Sequence, residues 1–168
     1  MDWYKFAKSE IENTKINRAI KDRIRTNPFF KYLFEDYGVP IDRIDDNLSI
    51  EVTELNGKFA KSDSKKIYLN KKLFENGSFF AENFHFVIHE LTHWLTRQKE
   101  RQFYFADPEE VEAFACAMCF ELDNGKKKEE IQKVFFPIIE AHFDQKHDAN
   151  KLFEALFTKA VNRLRKYR

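Results

Sequence analysis

Disulfide-stapled scaffolds are excluded first. The chain has two cysteines in 168 residues, Cys116 and Cys119. That is too few for a cross-linked secreted framework, and a reduced, cytoplasmic setting is expected. Glycine and proline are nearly as scarce, four of each, which points to long helices with few loops. No run of about 18 apolar residues exists, so no segment is expected to span a membrane. The opening Met1-Asp2-Trp3-Tyr4-Lys5-Phe6 lacks the apolar stretch of a secretory signal. An excess of charge is missing too. The 29 basic and 28 acidic side chains sum to a formal +1, which gives no global pull towards nucleic acid or an anionic surface. What is abundant is apolar: 43% of residues are hydrophobic and 19 are phenylalanine, enough at this length for a real core in a single domain spanning residues 1–168. The heavy use of Lys, Phe, Asn and Ile suits an AT-rich genome such as that of a phage or a low-GC bacterium.

In chain order the pattern is α+β and mostly helical. Residues 2–26 carry a loose apolar stripe of Trp3, Phe6, Ile11, Ile16, Ile20 and Ile24 among many charges. Asn27-Pro28 breaks it, and Pro28 opens a second helix that runs to Asp36. Over residues 48–70 the period shortens. Leu48, Ile50, Val52 and Leu55 nearly alternate with polar residues, as in a half-buried strand. Asn56-Gly57 is a hairpin signal, because both positions tolerate positive φ. Lys58-Phe59-Ala60 and Lys66-Ile67-Tyr68-Leu69-Asn70 read as the second and third strands of a small antiparallel β-meander. Helices are expected over 79–98, 108–122 and 127–167. The middle one opens on Asp107-Pro108-Glu109-Glu110, a capping-box signature with Asp107 as N-cap, and stops near Asp123-Asn124-Gly125. The last region divides in two, with Pro137 placed to kink its first helix. Its second helix, 148–167, carries Leu152, Phe153, Leu156, Phe157, Ala160, Val161 and Leu164 on one face.

The stretch that carries chemistry is His89-Glu90-Leu91-Thr92-His93. On a helix, residues four apart share a face, so both imidazoles can reach one ion. Glu90 follows the first histidine and can accept a proton from a metal-bound water. This is the H-E-x-x-H arrangement of zinc peptidases. Phe84, Val87, Ile88, Leu91 and Leu95 recur at helical spacing, so one face of this helix is expected to be core and the other to carry the histidines. Ser78 is the expected N-cap. Many zinc peptidases hold substrate as an added strand along a sheet edge, which gives the neighbouring meander a functional reading beside that of a simple cover.

A catalytic zinc needs a third protein ligand and an open position. Candidates are Glu109, Glu110, Glu112, His142 and His147. Thr96 and Lys99 stand where metzincins need Gly and His, which excludes that class. Glu112 is the expected ligand, because a carboxylate beside Phe114, Met118 and Phe120 is costly to bury without a cation. Ala113, Ala115 and Ala117 would let its helix approach the histidine helix. Tyr104 and His142 are candidate stabilisers of the transition state.

With Glu110-Val111-Glu112-Ala113 and the small residues after it, the motif resembles the gluzincin-type peptidases, in particular the compact ImmA/IrrE-like group, over roughly residues 48–122. The resemblance implies a peptidase fold, a bound Zn²⁺, a peptide or protein substrate, and the Glu immediately before Ala as third ligand, here Glu112. Phe114 and Cys116 depart from the Asn and Phe common in that group. No helix-turn-helix precedes the core, so repressor regulation does not carry over.

Other features have plainer readings. His85 shares the face of His89, but in that register Glu90 has no role. Cys116 and Cys119 form a C-x-x-C pair without the His-x-Glu of deaminases and read as small core residues, although Cys116, one turn beyond Glu112, could line the site. The basic end Arg163-Leu164-Arg165-Lys166-Tyr167-Arg168 suits a helix C-terminus. The rival to the enzyme is a catalytically inactive, peptidase-like structural or interaction protein. A nucleic-acid-associated role for the basic helix is a third class, and steep salt dependence would mark it.

Overall fold

Ile16, Ile20 and Ile24, four apart and all buried, define the inward stripe of α1, Glu10–Thr26. This computed structural model describes residues 10–75, 78–98, 106–142 and 148–168. Its contacts divide the chain into two compact units, Met1–Tyr104 and Phe105–Arg168. The class is α+β, with helices around one small three-stranded sheet. Among the described residues no helix is long and apolar enough to cross a membrane.

In the first unit α1 is followed by α2, Pro28–Tyr37. Asn27 caps it by accepting from the Phe29 N–H at 3.0 Å, and Gly38 ends it at φ 62°, where a β-carbon would be strained. The short α3, Arg43–Asn47, leads into β1, Ser49–Thr53, then β2, Ala60–Ser62, and β3, Lys66–Asn70. The expected N-terminal boundary at residue 2 lies outside the described residues.

The sheet is not the antiparallel meander. Its order is β1-β3-β2, with β1 parallel to β3 and only β2 antiparallel to it. Asn56-Gly57 does turn the chain, Gly57 having φ 72°, but the return does not pair with β1. The cause is Asn70. Its side-chain amide donates to the carbonyls of Leu55 at 2.6 Å and Lys58 at 2.7 Å, and its backbone N–H donates to Phe59 O at 2.8 Å. The loop is thereby pinned to the end of β3, and β2 docks on the side of β3 away from β1. Asp63 then closes the β2–β3 hairpin by accepting from the N–H groups of Lys65 and Lys66. The outer edge of β1 is occupied by Asn13 of α1, whose Oδ1 accepts from Val52 N–H at 2.8 Å and whose Nδ2 donates to Val52 O at 3.5 Å.

The helix expected over 79–98 is two helices, α4, Phe79–Glu82, and α5, His85–Gln98. Asn83 breaks it by donating its side-chain amide to Phe79 O at 2.8 Å, the competition with backbone bonding that disfavours Asn inside helices. Ser78 makes no side-chain cap bond. Nor is α5 divided into a core face and a wet face. From Phe84 to Thr96 every residue is buried except the half-buried Phe86 and His89. It packs on α2, β2 and β3, with Trp94 against Phe34 at 6.3 Å and Phe74, Phe80 and Phe84 in a stacked and edge-on series. Each fully buried ring or aliphatic chain here is worth about 1.5–3 kcal/mol.

The second unit is three helices, α6, Ala106–Asp123, α7, Lys128–His142, and α8, Ala149–Tyr167. The start of α6 at Ala106 places Asp107 inside the helix, not at its cap. Gly125, at φ 85°, ends it as expected, with its N–H donating to Leu122 O. Asp148 caps α8 through the N–H groups of Asn150 and Lys151. Pro137 lies within α7. The small residues of α6 serve packing in this unit, where α8 turns Phe153, Leu156, Ala160 and Tyr167 inward.

Candidate metal centre

The turn of α5 from His89 to His93 brings the two imidazoles together. Their Nε2 atoms are 3.1 Å apart, with ring planes at 75°. Two imidazoles on one tetrahedral zinc at about 2.0–2.1 Å hold their nitrogens about 3.3 Å apart. The spacing therefore suits one cation shared between the rings, as it suits one shared proton. His93 is buried and His89 half-buried. The pair is thus largely shielded from water, with His89 the more exposed of the two.

Glu90 is 9% exposed, and among the described residues no cation pairs with its carboxylate. A carboxylate kept out of ion pairs can take and return a proton. Thr92, between the histidines, satisfies its buried hydroxyl on Ile88 O at 2.8 Å. His85 is buried with its ring 4.5 Å from that of Phe86, which rules out a surface position for it.

Glu112, the expected third ligand, is committed within its own unit. One carboxylate oxygen meets the Arg163 guanidinium, and the other meets Lys159 Nζ at 2.5 Å. Burial alone would raise its pKa, but Arg163 and Lys159 outweigh it and hold the group below its ordinary 4.5. The stability this network supplies is full above that ordinary value and is lost as pH falls through the lower, folded one. Acid unfolding followed by circular dichroism should show it: Glu112→Gln, less stable than the parent chain at neutral pH, should have a smaller loss of stability below pH 4.5, so that the two converge in acid.

The cysteines belong to the same region. Arg163 also meets Cys116 Sγ, and Cys119 is buried, its thiol pushed up by burial to about 12. A thiol that stays protonated is neither nucleophile nor thiolate ligand, so core packing accounts for it. Comparison with protein-family models, curated proteins and solved structures finds no match.

Lys159 did not figure in the sequence reading, and Arg163 figured there only as part of the basic helix end, although a signal for a buried role was there. Phe153, Leu156, Ala160, Arg163 and Tyr167 follow helical spacing, and the other four are buried. An arginine in that stripe needs a buried counter-ion. Of the candidate stabilisers, Tyr104 lies outside the described residues. His142 ends α7, and its side chain lies outside the described ones.

Proposed function

We propose that the chain is a zinc-dependent peptidase in which His89, His93 and Glu110 hold the ion and Glu90 is the general base. The observation that carries this reading is the 3.1 Å approach of two imidazole Nε2 atoms from one helix, with a buried carboxylate directly after the first. Glu110 replaces Glu112 for a reason internal to α6. Both oxygens of Glu112 are neutralised by cations of α8. Glu110 lies two residues earlier, about 200° round the helix, and is half-buried. Its carboxylate is therefore the one proposed to complete the two imidazoles. Two imidazoles and a carboxylate, with no thiolate, match the donor chemistry of catalytic zinc.

When bound, zinc supplies Lewis acidity to the scissile carbonyl and to the attacking water. Glu90 takes the proton of that water and delivers it to the leaving nitrogen. Glu90 is buried on α5, which restricts the freedom of its side chain. The outer edge of β2 is where an extended peptide would pair, since Asn13 already occupies that of β1. β2 runs alongside the histidine turn: Phe59, just before it, stacks on Phe86, and Ser62, at its end, accepts from Arg97 at 3.4 Å.

The test is hydrolysis of an unstructured protein by the purified chain. Cleavage should require zinc, stop on chelation and return on zinc addition. His93→Ala should reduce bound zinc from stoichiometric to background by elemental analysis. Stoichiometric zinc with no cleavage of any peptide would instead support the inactive, interaction-protein reading.

A further inference from the structure

We infer that Phe59 determines specificity, selecting peptides that carry an apolar side chain within two residues of the scissile bond. The inference rests on the peptidase reading and adds a substrate class to it. Phe59 is 41% exposed, one of two large hydrophobic side chains so exposed among the described residues. It is nevertheless not a loose ring. Its centroid stacks on that of Phe86 at 5.0 Å and 27°, and lies 6.1 Å from that of Phe79.

Its backbone is equally fixed. The Phe59 carbonyl accepts from Asn70 N–H, and the Lys58 carbonyl just before it accepts from the Asn70 side chain. The result is a rigid aromatic platform with one open face. Such a face binds an apolar chain at little ordering cost.

Position gives the platform its role. Phe86 lies three residues before His89 on α5, a rise of about 4.5 Å. The midpoint of the histidine pair, level with Leu91, is about 7.5 Å along the axis from Phe86. An extended peptide advances about 3.3 Å per residue and repeats its side-chain direction every second residue. A peptide along β2 with its scissile bond at the histidines therefore sets a side chain about two residues away over the platform. The platform is continuous with that edge, since Phe59 is followed directly by Ala60, the first residue of β2. Among the described residues no further strand pairs with the outer edge of β2.

The experiment uses the full zinc-loaded chain and a peptide library in which each position around the cleavage point is scanned in turn. Wild type should favour Phe, Leu or Met over Ser at one position within two residues of the cut. Phe59→Ala should lower that apolar-to-serine ratio of kcat/KM by about tenfold or more, and Phe59→Leu should keep most of it. Zinc content and thermal unfolding should match wild type, because the side chain is half exposed. Cleavage without such a preference, or a Phe59→Ala variant with an unchanged ratio, overturns the inference and leaves the peptidase reading intact. A wild type that holds zinc and cleaves nothing overturns both.

Discussion

Glu90→Gln keeps its zinc and loses hydrolysis by about a hundredfold to ten-thousandfold, the span that a positioned acid–base group contributes. The expectation follows from the division of labour on α5. His89 and His93 meet through Nε2 and are the proposed holders of the ion. Glu90, buried and unpaired by any cation among the described residues, is the proposed handler of the proton. Glutamine keeps the shape of the side chain and its polarity, so the fold and the histidine spacing survive. It cannot accept a proton from water, so the loss should fall on kcat. Elemental analysis and steady-state kinetics on one preparation separate the two effects. A variant with full activity would remove Glu90 from the mechanism while leaving the metal site standing.

The second large effect separates two glutamates two residues apart. Glu112→Ala leaves Arg163, itself 13% exposed in its side chain, without its counter-ion, and should destabilise the second unit by about 3 kcal/mol. Zinc affinity should change little. Glu110→Ala should do the reverse, abolishing stoichiometric zinc at little cost in stability. Adding Arg163→Met to Glu112→Ala should recover much of the lost stability, because a buried pair replaced by apolar groups costs less than a broken one. Denaturant unfolding and zinc titration on the same samples read out both quantities. Loss of zinc in Glu112→Ala with an unchanged fold would return the third-ligand role to Glu112.

These two glutamates show where sequence reasoning reached and where it stopped. The spacing of His89, Glu90 and His93 was legible because the geometry that joins them is local, one turn of helix. The commitment of Glu112 was not, because it depends on Lys159 and Arg163, which come from a helix two elements later. The buried stripe of α8 held a clue in Arg163, but the apolar face was read as Leu152, Phe153, Leu156, Phe157, Ala160, Val161 and Leu164, which takes in Phe153, Leu156 and Ala160 of that stripe and leaves Arg163 out.

The fold follows the same rule. Most helices and the span of β3 were visible in periodicity, and Gly38 and Gly125 end helices where positive φ is needed. The sheet order was not visible. It turns on Asn70 drawing in Leu55 and Lys58 over 15 and 12 residues, a tertiary choice that a turn signal at Asn56-Gly57 cannot report. The break at Asn83 was missed because the apolar pattern runs through it. The burial of α5 on nearly all sides was missed because Thr92, Thr96 and the charged motif made one face look wet.

The central claim is that one zinc ion is held by two imidazoles and a carboxylate. Zinc K-edge X-ray absorption on the stoichiometrically loaded chain tests it most directly. The predicted spectrum has nitrogen and oxygen ligands at about 2.0–2.1 Å, with the multiple scattering of two imidazoles. A sulfur shell at about 2.3 Å would place the ion on Cys116 or Cys119. That result, or a chain that retains no zinc, would contradict the account.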